Sequence, residues 1–138
     1  MRIMAIDLGD ARTGLAVSDL TGMICGEAWT VEEWNMERLC ETIISEAEKR
    51  QVGLLVLGLP KNMDGSEGPR AEKSRAFCEM LQRRSDLQIV FWDERRSSIE
   101  AHQILHANGK KERKHRKTVD AVAASLILEG FLGSKSAQ

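Results

Sequence analysis

The run Leu54-Leu55-Val56-Leu57, set between Gly53 and Gly58, constrains the fold more than any other feature of the chain. Four consecutive apolar residues leave no polar face, so a strand made from them must be covered on both sides. The flanking stretches have helical spacing. Met36, Leu39, Cys40, Ile43, Ile44 and Ala47 recur at threes and fours, with Asn35 placed to cap the start. Ala71, Ser74, Cys78 and Leu81 repeat the pattern behind Pro69, a residue tolerated in the first turn of a helix. A doubly buried strand between two helices predicts a sheet with helices packed on both faces.

The remaining segments fill in that sheet. Residues 2–7 form a short apolar run ending in Asp7, and Leu15-Ala16-Val17-Ser18 resumes strand character after the turn-rich Leu8–Gly14. The two predict a hairpin. A third extended segment is expected over Met23–Val31, after the turn at Leu20-Thr21-Gly22. Gln88-Ile89-Val90-Phe91-Trp92 reads as the last strand and runs into Asp93-Glu94-Arg95-Arg96. Ser97 and Glu100 have capping-box spacing, which predicts a helix to about His106, before Asn108-Gly109. A final helix is expected from Thr118, with Val119, Val122, Ala123, Leu126 and Ile127 on its apolar face. The prediction is an α/β protein with a mixed five-stranded sheet, its first three strands antiparallel, and helices on both faces. One domain over residues 1–133 and a frayed tail over 134–138 complete the expectation.

Composition narrows the functional classes. A chain of 138 residues buries roughly two-thirds of its unfolded surface, so no disulfide or structural metal is required. The formal net charge of −1 means that any attraction to phosphate must come from a local patch. Cys25, Cys40 and Cys78 lack ligand spacing and read as reduced thiols. The N-terminal apolar stretch is too short for a signal peptide, and no run approaches a membrane span. A cytoplasmic location with no membrane partner is expected. His102, His106 and His115 have no zinc spacing, and Trp29, Trp34 and Trp92 read as core or rim packing.

Three acids stand out by position: Asp7 at the end of the first strand, Glu94 (beside Asp93) at the end of the last, and Asp120 in the first turn of the last helix. Sites in sheets of this kind form beyond the carboxyl ends of the strands. Clustered carboxylates suit Mg²⁺ or Mn²⁺, as one ion or as two held about 4 Å apart. Each acid also has an ordinary structural use: Asp7 on the backbone of the following turn, Glu94 against Arg95 or Arg96, and Asp120 on a helix dipole. Their convergence tips the reading towards metal. Around them, Arg12 and Thr13 in the glycine-rich turn and Lys61 and Asn62 in the loop Pro60–Gly68 are candidate contacts to nucleic acid. So are Arg95 and the basic segment Lys110, Lys111, Arg113, Lys114, Arg116 and Lys117. A glycine-rich hairpin turn, a plain connection and a solvated linker are the alternatives for these segments.

Four ordered motifs span almost the whole chain. They are Ala5-Ile6-Asp7-Leu8-Gly9 with Arg12-Thr13-Gly14, and Val56-Leu57-Gly58-Leu59-Pro60 with Asn62-Met63-Asp64-Gly65-Ser66. Asp93-Glu94-Arg95 with Ser97-Ser98 and Glu100-Ala101 follows, then Val119-Asp120-Ala121 with Ala123-Ala124 and Ile127-Leu128-Glu129. Together they resemble the YqgF family, described both as Holliday junction resolvases and as pre-16S rRNA nucleases. The resemblance implies an RNase H-like fold and a Mg²⁺- or Mn²⁺-dependent nuclease that processes the 5′ end of pre-16S rRNA in ribosome biogenesis. Resolution of Holliday junctions in DNA is the alternative, and a non-catalytic nucleic-acid-binding factor in transcription or ribosome assembly a further one. A fragment-like relative of the sugar-kinase and actin ATPases is disfavoured by the single short domain. By position, Asp7, Glu94 and Asp120 are the implied catalytic and metal-binding triad, with Asp93 the other candidate at the third motif. The implied partner is pre-rRNA or branched DNA, bound by a monomer or a homodimer. Two departures stand out: Arg96 replaces a usual apolar residue, and Gly58 ends the central strand where resolvases of related fold carry an acid.

Overall fold

The computed structural model describes residues 1–96 and 112–136. Five strands are formed by β1 (Arg2–Asp7), β2 (Arg12–Ser18), β3 (Cys25–Glu32), β4 (Val52–Leu59) and β5 (Gln88–Asp93). Helices α1 (Met36–Lys49), α2 (Pro69–Arg84) and α3 (Glu112–Ser136) cover the sheet, and a 3₁₀ turn, Glu94–Arg96, follows β5. The strand order is β3-β2-β1-β4-β5. β1, β2 and β3 pair antiparallel, whereas β1–β4 and β4–β5 are parallel. The mixed sheet predicted from the sequence is the one observed.

Two cores explain the strand patterns. Met4, Ile6, Leu15, Val17, Leu55 and Leu57 meet Leu39, Cys40 and Ile43 of α1 and Phe77 and Leu81 of α2. On the opposite face Ile3, Ala5, Ala16, Leu54 and Val56 meet Ala124, Ile127, Leu128 and Leu132 of α3. Alternate β1 residues thus enter opposite cores, as the period of two requires. The apolar run of β4 feeds both.

The α3 face has a floor of small residues. Ala5, Ala16 and Ala28 lie side by side across β1, β2 and β3. Nearer the carboxyl end of β1, Gly14 pairs with Asp7. A Cβ on Gly14 would collide with the Asp120 backbone carbonyl, so the missing side chain is where α3 touches the sheet. Of the residues expected on its apolar face, Ala123 and Ile127 are buried beneath the helix with Ala124 and Leu128, while Val119, Val122 and Leu126 are half-buried at its margins. The floor admits the helix closely and sets that rotation.

Several boundaries differ from expectation. β2 begins at Arg12 and β3 ends at Glu32, because Arg12 and Glu32 still pair across the ladder. β3 starts at Cys25, not Met23. The Asp19 carboxylate accepts the amides of Met23 (2.9 Å) and Ile24 (3.3 Å), tying those residues into the turn. Helix α3 begins at Glu112 rather than Thr118, so the stretch Glu112–Lys117 is helical and not a linker. Lys, Arg and Glu are strong helix formers, and nothing in the stretch stops a helix that the apolar face has nucleated. The capping box at Ser97 and Glu100, the helix to His106, and Lys110 and Lys111 lie outside the described residues. Among the described residues no helix is long and apolar enough to cross a membrane.

Candidate active site

The carboxyl ends of β1, β4 and β5 lie along one edge of the sheet, and three acids meet there from three elements. Asp7 ends β1. Glu94 opens the 3₁₀ turn after β5 and is buried. β4 lies between β1 and β5, so the Glu94 side chain must cross β4 to reach Asp7. It passes over Gly58, where an added Cβ would stand 2.7 Å from the Glu94 Cδ. Gly58 is therefore the gap through which Glu94 hydrogen-bonds Asp7. Gly58 continues the alternate positions Leu54 and Val56 that face α3, so Asp120 arrives on the same face, delivered by α3 over Gly14.

The electrostatics follow from this crowding. Burial pushes the Glu94 carboxyl well above its ordinary value, and the hydrogen bond with Asp7 and the Asp7 charge push it further. Glu94 is then the protonated partner and donates to Asp7. Burial, then the Asp7 charge, raise Asp120 to about 6, against the opposing charges of Arg12 and Arg70. Arg12 Nε lies 3.7 Å from Asp120 Oδ2. The site thus consists of a hydrogen-bonded Asp7–Glu94 pair beside an Asp120–Arg12 ion pair. Among the described residues no three His, Cys, Asp or Glu side chains stand at metal-ligating spacing as they are.

Asp93 is turned elsewhere. Its carboxylate takes Arg95 Nε (2.9 Å) and Nη2 (2.6 Å), and Arg95 Nη1 reaches the Met63 carbonyl at 3.5 Å. That pair lowers the pKa of Asp93 and staples the end of β5 to the loop after β4. Of the two neighbouring acids, Glu94 faces Asp7.

The expected nucleic-acid contacts divide. Arg12 lies at the carboxylates. Lys61 is half-buried and makes no ion pair among the described residues. Three others are already engaged. Thr13 is fully buried and its hydroxyl accepts the Gly9 amide at 3.3 Å, so it supports the turn and presents nothing to a ligand. Asn62 donates from Nδ2 to Ser66 Oγ at 2.9 Å and closes its own loop, and Arg95 is held by Asp93. Arg113, Lys114, Arg116 and Lys117 belong to the first turns of α3. Trp29 and Trp92 pack as expected, Trp29 under Arg50 (4.3 Å) and Trp92 edge-on to Phe131 (6.5 Å). Trp34 does not pack: it is 78% exposed, because Asn35 caps α1 and Glu33 bonds the Ala11 carbonyl, leaving the indole between them outside the core.

Comparison with known proteins follows the same geometry. The family model described as "RuvX: Holliday junction resolvase" matches residues 1–134. The chain belongs to the RuvX family. This is the family, also called YqgF, whose motifs the sequence carries. RuvX relatives include a protein of Halothermothrix orenii, 42% identical over 132 residues, covering 96% of this chain and 94% of the relative. Another, from Clostridioides difficile, is 37% identical over 134 residues, covering 97% and 95%. Both bear the name "Putative pre-16S rRNA nuclease". Among solved structures, RuvC of T. thermophilus in complex with a Holliday junction substrate superposes with a TM-score of 0.63 at 9% identity. That match covers 100% of this chain and 97% of RuvC. Fowlpox virus resolvase with junction DNA gives 0.62 at 14%, covering 98% and 99%. At these identities the likeness is one of fold, and that fold is RNase H-like.

The sequence reading missed Arg70, the second residue of α2. Its charge lowers the pKa of Glu94, Asp120 and Asp10. The signal available was the dipeptide Pro69-Arg70, which opens a helix at the exit of a loop from the central strand.

Proposed function

We propose that this RuvX protein is a divalent-metal-dependent nuclease that hydrolyses phosphodiester bonds in structured nucleic acid, and that its substrate is the 5′ region of pre-16S rRNA. The observation that carries the reading is the meeting of Asp7, Glu94 and Asp120 at one sheet edge, with Glu94 and Asp120 holding protons more tightly than ordinary carboxylates. Such a cluster is short of positive charge. Its donors are oxygen only, which fits Mg²⁺ or Mn²⁺, and Asp7, Glu94 and Asp120 are the residues that would hold one or two ions. When bound, such an ion supplies a nucleophilic hydroxide at neutral pH and neutralises charge developing on the phosphate.

The protein's own residues supply the rest. As ligands, Glu94 would be ionised, its proton passing to solvent, and Asp120 would turn from Arg12 towards the ion. Arg12 would then serve a phosphate of the strand, and Lys61 lies on the loop beyond β4 to assist. The basic first turns of α3, on the helix that carries Asp120, give the strand a positive approach. The names of the close relatives support pre-16S rRNA as substrate. The RuvX match over residues 1–134 supports reading that stretch as one domain.

A second reading, resolution of Holliday junctions, is favoured by the description of the family and rests on the same carboxylates. Cleavage assays with Mg²⁺ or Mn²⁺, on a 5′-extended 16S precursor fragment and on a four-way DNA junction, separate the two. Wild-type protein is expected to cut the RNA, and Asp7→Asn to lose at least about 1000-fold in rate. Equal rates for the two proteins would remove the carboxylates from the mechanism, and cutting of the junction alone would favour the second reading.

A further inference from the structure

We propose that Arg70 is a further substrate-binding residue of this site, its guanidinium gripping the phosphate group on which the carboxylates act. The proposal rests on the nuclease reading above and adds to it a residue that the four sequence motifs do not contain.

The placement comes from two contacts and one periodicity. Lys73 of α2 bonds Asp10 in the turn between β1 and β2, which ties the first turns of α2 to the turn that follows Asp7. Arg70 precedes Lys73 by three residues, so it shares that face of the helix and lies nearer its start. The start of α2 adjoins the loop leaving the carboxyl end of β4, where Gly58 makes room for Glu94. Arg70 therefore stands at the mouth of the acidic cluster. Its charge is felt by Asp10, Glu94 and Asp120, which come from three separate segments.

The charges around this edge then separate Arg70 from its neighbours. Arg12 is paired with Asp120, Lys73 with Asp10, Arg75 with Glu67 and Arg95 with Asp93. Arg70 is exposed and forms no ion pair among the described residues, although acids surround it. A guanidinium whose purpose was to neutralise those acids would be drawn into contact with one of them. Standing off, it keeps its fork of donors for an anion from outside. With cations held by the acids, the group it meets at this edge is the substrate phosphate, and a planar guanidinium binds two phosphate oxygens at once. Lys61 is also unpaired, but its charge reaches Asp93 and Glu67 and none of the three acids.

The test compares wild type, Arg70→Ala and Arg70→Lys, with Arg83→Ala as a control on the exposed far end of α2. Three quantities are read: single-turnover cleavage of the 16S precursor fragment at saturating Mn²⁺, Mn²⁺ affinity by calorimetry, and affinity for the same RNA by anisotropy over a range of salt. Arg70→Ala is expected to melt like wild type, to cut about 100-fold more slowly and to bind Mn²⁺ at least as well. Its plot of log affinity against log salt should be shallower by roughly one phosphate contact, a slope change of about 0.7–0.9. Arg70→Lys should recover part of the rate, having the charge without the fork, and Arg83→Ala should match wild type. An unchanged rate with an unchanged salt slope would overturn the proposal. So would a slow Arg70→Ala whose rate returns with excess Mn²⁺, since Arg70 would then act only through the acids. Wild type that binds but never cuts would refute the nuclease reading, and the salt slope would still decide Arg70. Wild type that neither binds nor cuts would refute both.

Discussion

At the scale of single residues, the site depends on an absence. Gly58 carries no side chain, and the carboxyl end of Glu94 occupies the space above it. In Gly58→Ala the new Cβ meets the far end of a flexible side chain, which can swing away at little cost to the fold. Glu94 then loses its route to Asp7. The expected result is a melting temperature within a few degrees of wild type and cleavage reduced by at least about 100-fold, measured on the same preparation. Parallel losses of stability and activity would show that Gly58 serves the fold instead. Glu94 and Asp120 carry a second prediction at this scale. Both have pKa values raised on folding, so their contribution to stability is full below about pH 4, the ordinary carboxylate range, and is lost as pH rises through the folded values. For Asp120 that value is about 6, and Glu94 follows higher. Asp19, Asp64, Glu67 and Asp93 have lowered values and the opposite sign, but their effect is spent at more acidic pH. In EDTA the melting temperature should therefore fall between about pH 5 and pH 8, and Asp7→Asn should be the more stable protein at the upper end. Mn²⁺ should flatten the fall by binding the charged form. A melting temperature that is flat in EDTA would contradict the repulsion on which the site is built.

Among the elements, α3 has the most exacting position. It lies on Ala5, Ala16 and Ala28 and touches the sheet at Gly14, and this contact brings Asp120 beside Asp7. Gly14→Ala places a Cβ against backbone, which cannot rotate away, so the helix must lift. A loss of roughly 1–3 kcal/mol in denaturant unfolding is expected, together with weaker Mn²⁺ binding. Wild-type stability would mean that the helix docks less closely than the contact between Gly14 and the Asp120 carbonyl requires. The same element marks how far the sequence could be read. The apolar face of α3 predicted a helix, but Glu112–Lys117 carries no apolar residue, so periodicity could not see its first turns. The boundaries of β2 and β3 were shortened for a related reason: Arg12 and Glu32 are polar, and their strand character comes from pairing with each other. Asp7 and Glu94 stood out because they lie where β1 and β5 end, a position fixed by sequence order; Asp120, expected in the first turn of the last helix, stands two turns further in, because that helix begins at Glu112. The path of Glu94 over Gly58 and the standing of Arg70 were not legible, since both depend on which side chains meet across elements far apart in the chain. Trp34 was misread because composition places tryptophan inside, while the bonds of Glu33 and Asn35 hold this one out.

For the molecule as a whole, an almost neutral chain concentrates opposite charges at one edge. Asp7, Glu94 and Asp120 gather where the charges of Arg12 and Arg70 are also felt, so the net charge of −1 conceals a polarised surface. Such a surface binds a polyanion only once the acids are satisfied, and RNA affinity is expected to rise with added divalent ion before any cutting occurs. If Asp7, Glu94 and Asp120 share a cation, anomalous diffraction from a crystal soaked in Mn²⁺ locates it directly. A peak bounded by all three carboxylates is expected, with Arg12 displaced from Asp120. A peak elsewhere on the protein, or none with the Asp120–Arg12 pair intact, would contradict a shared site.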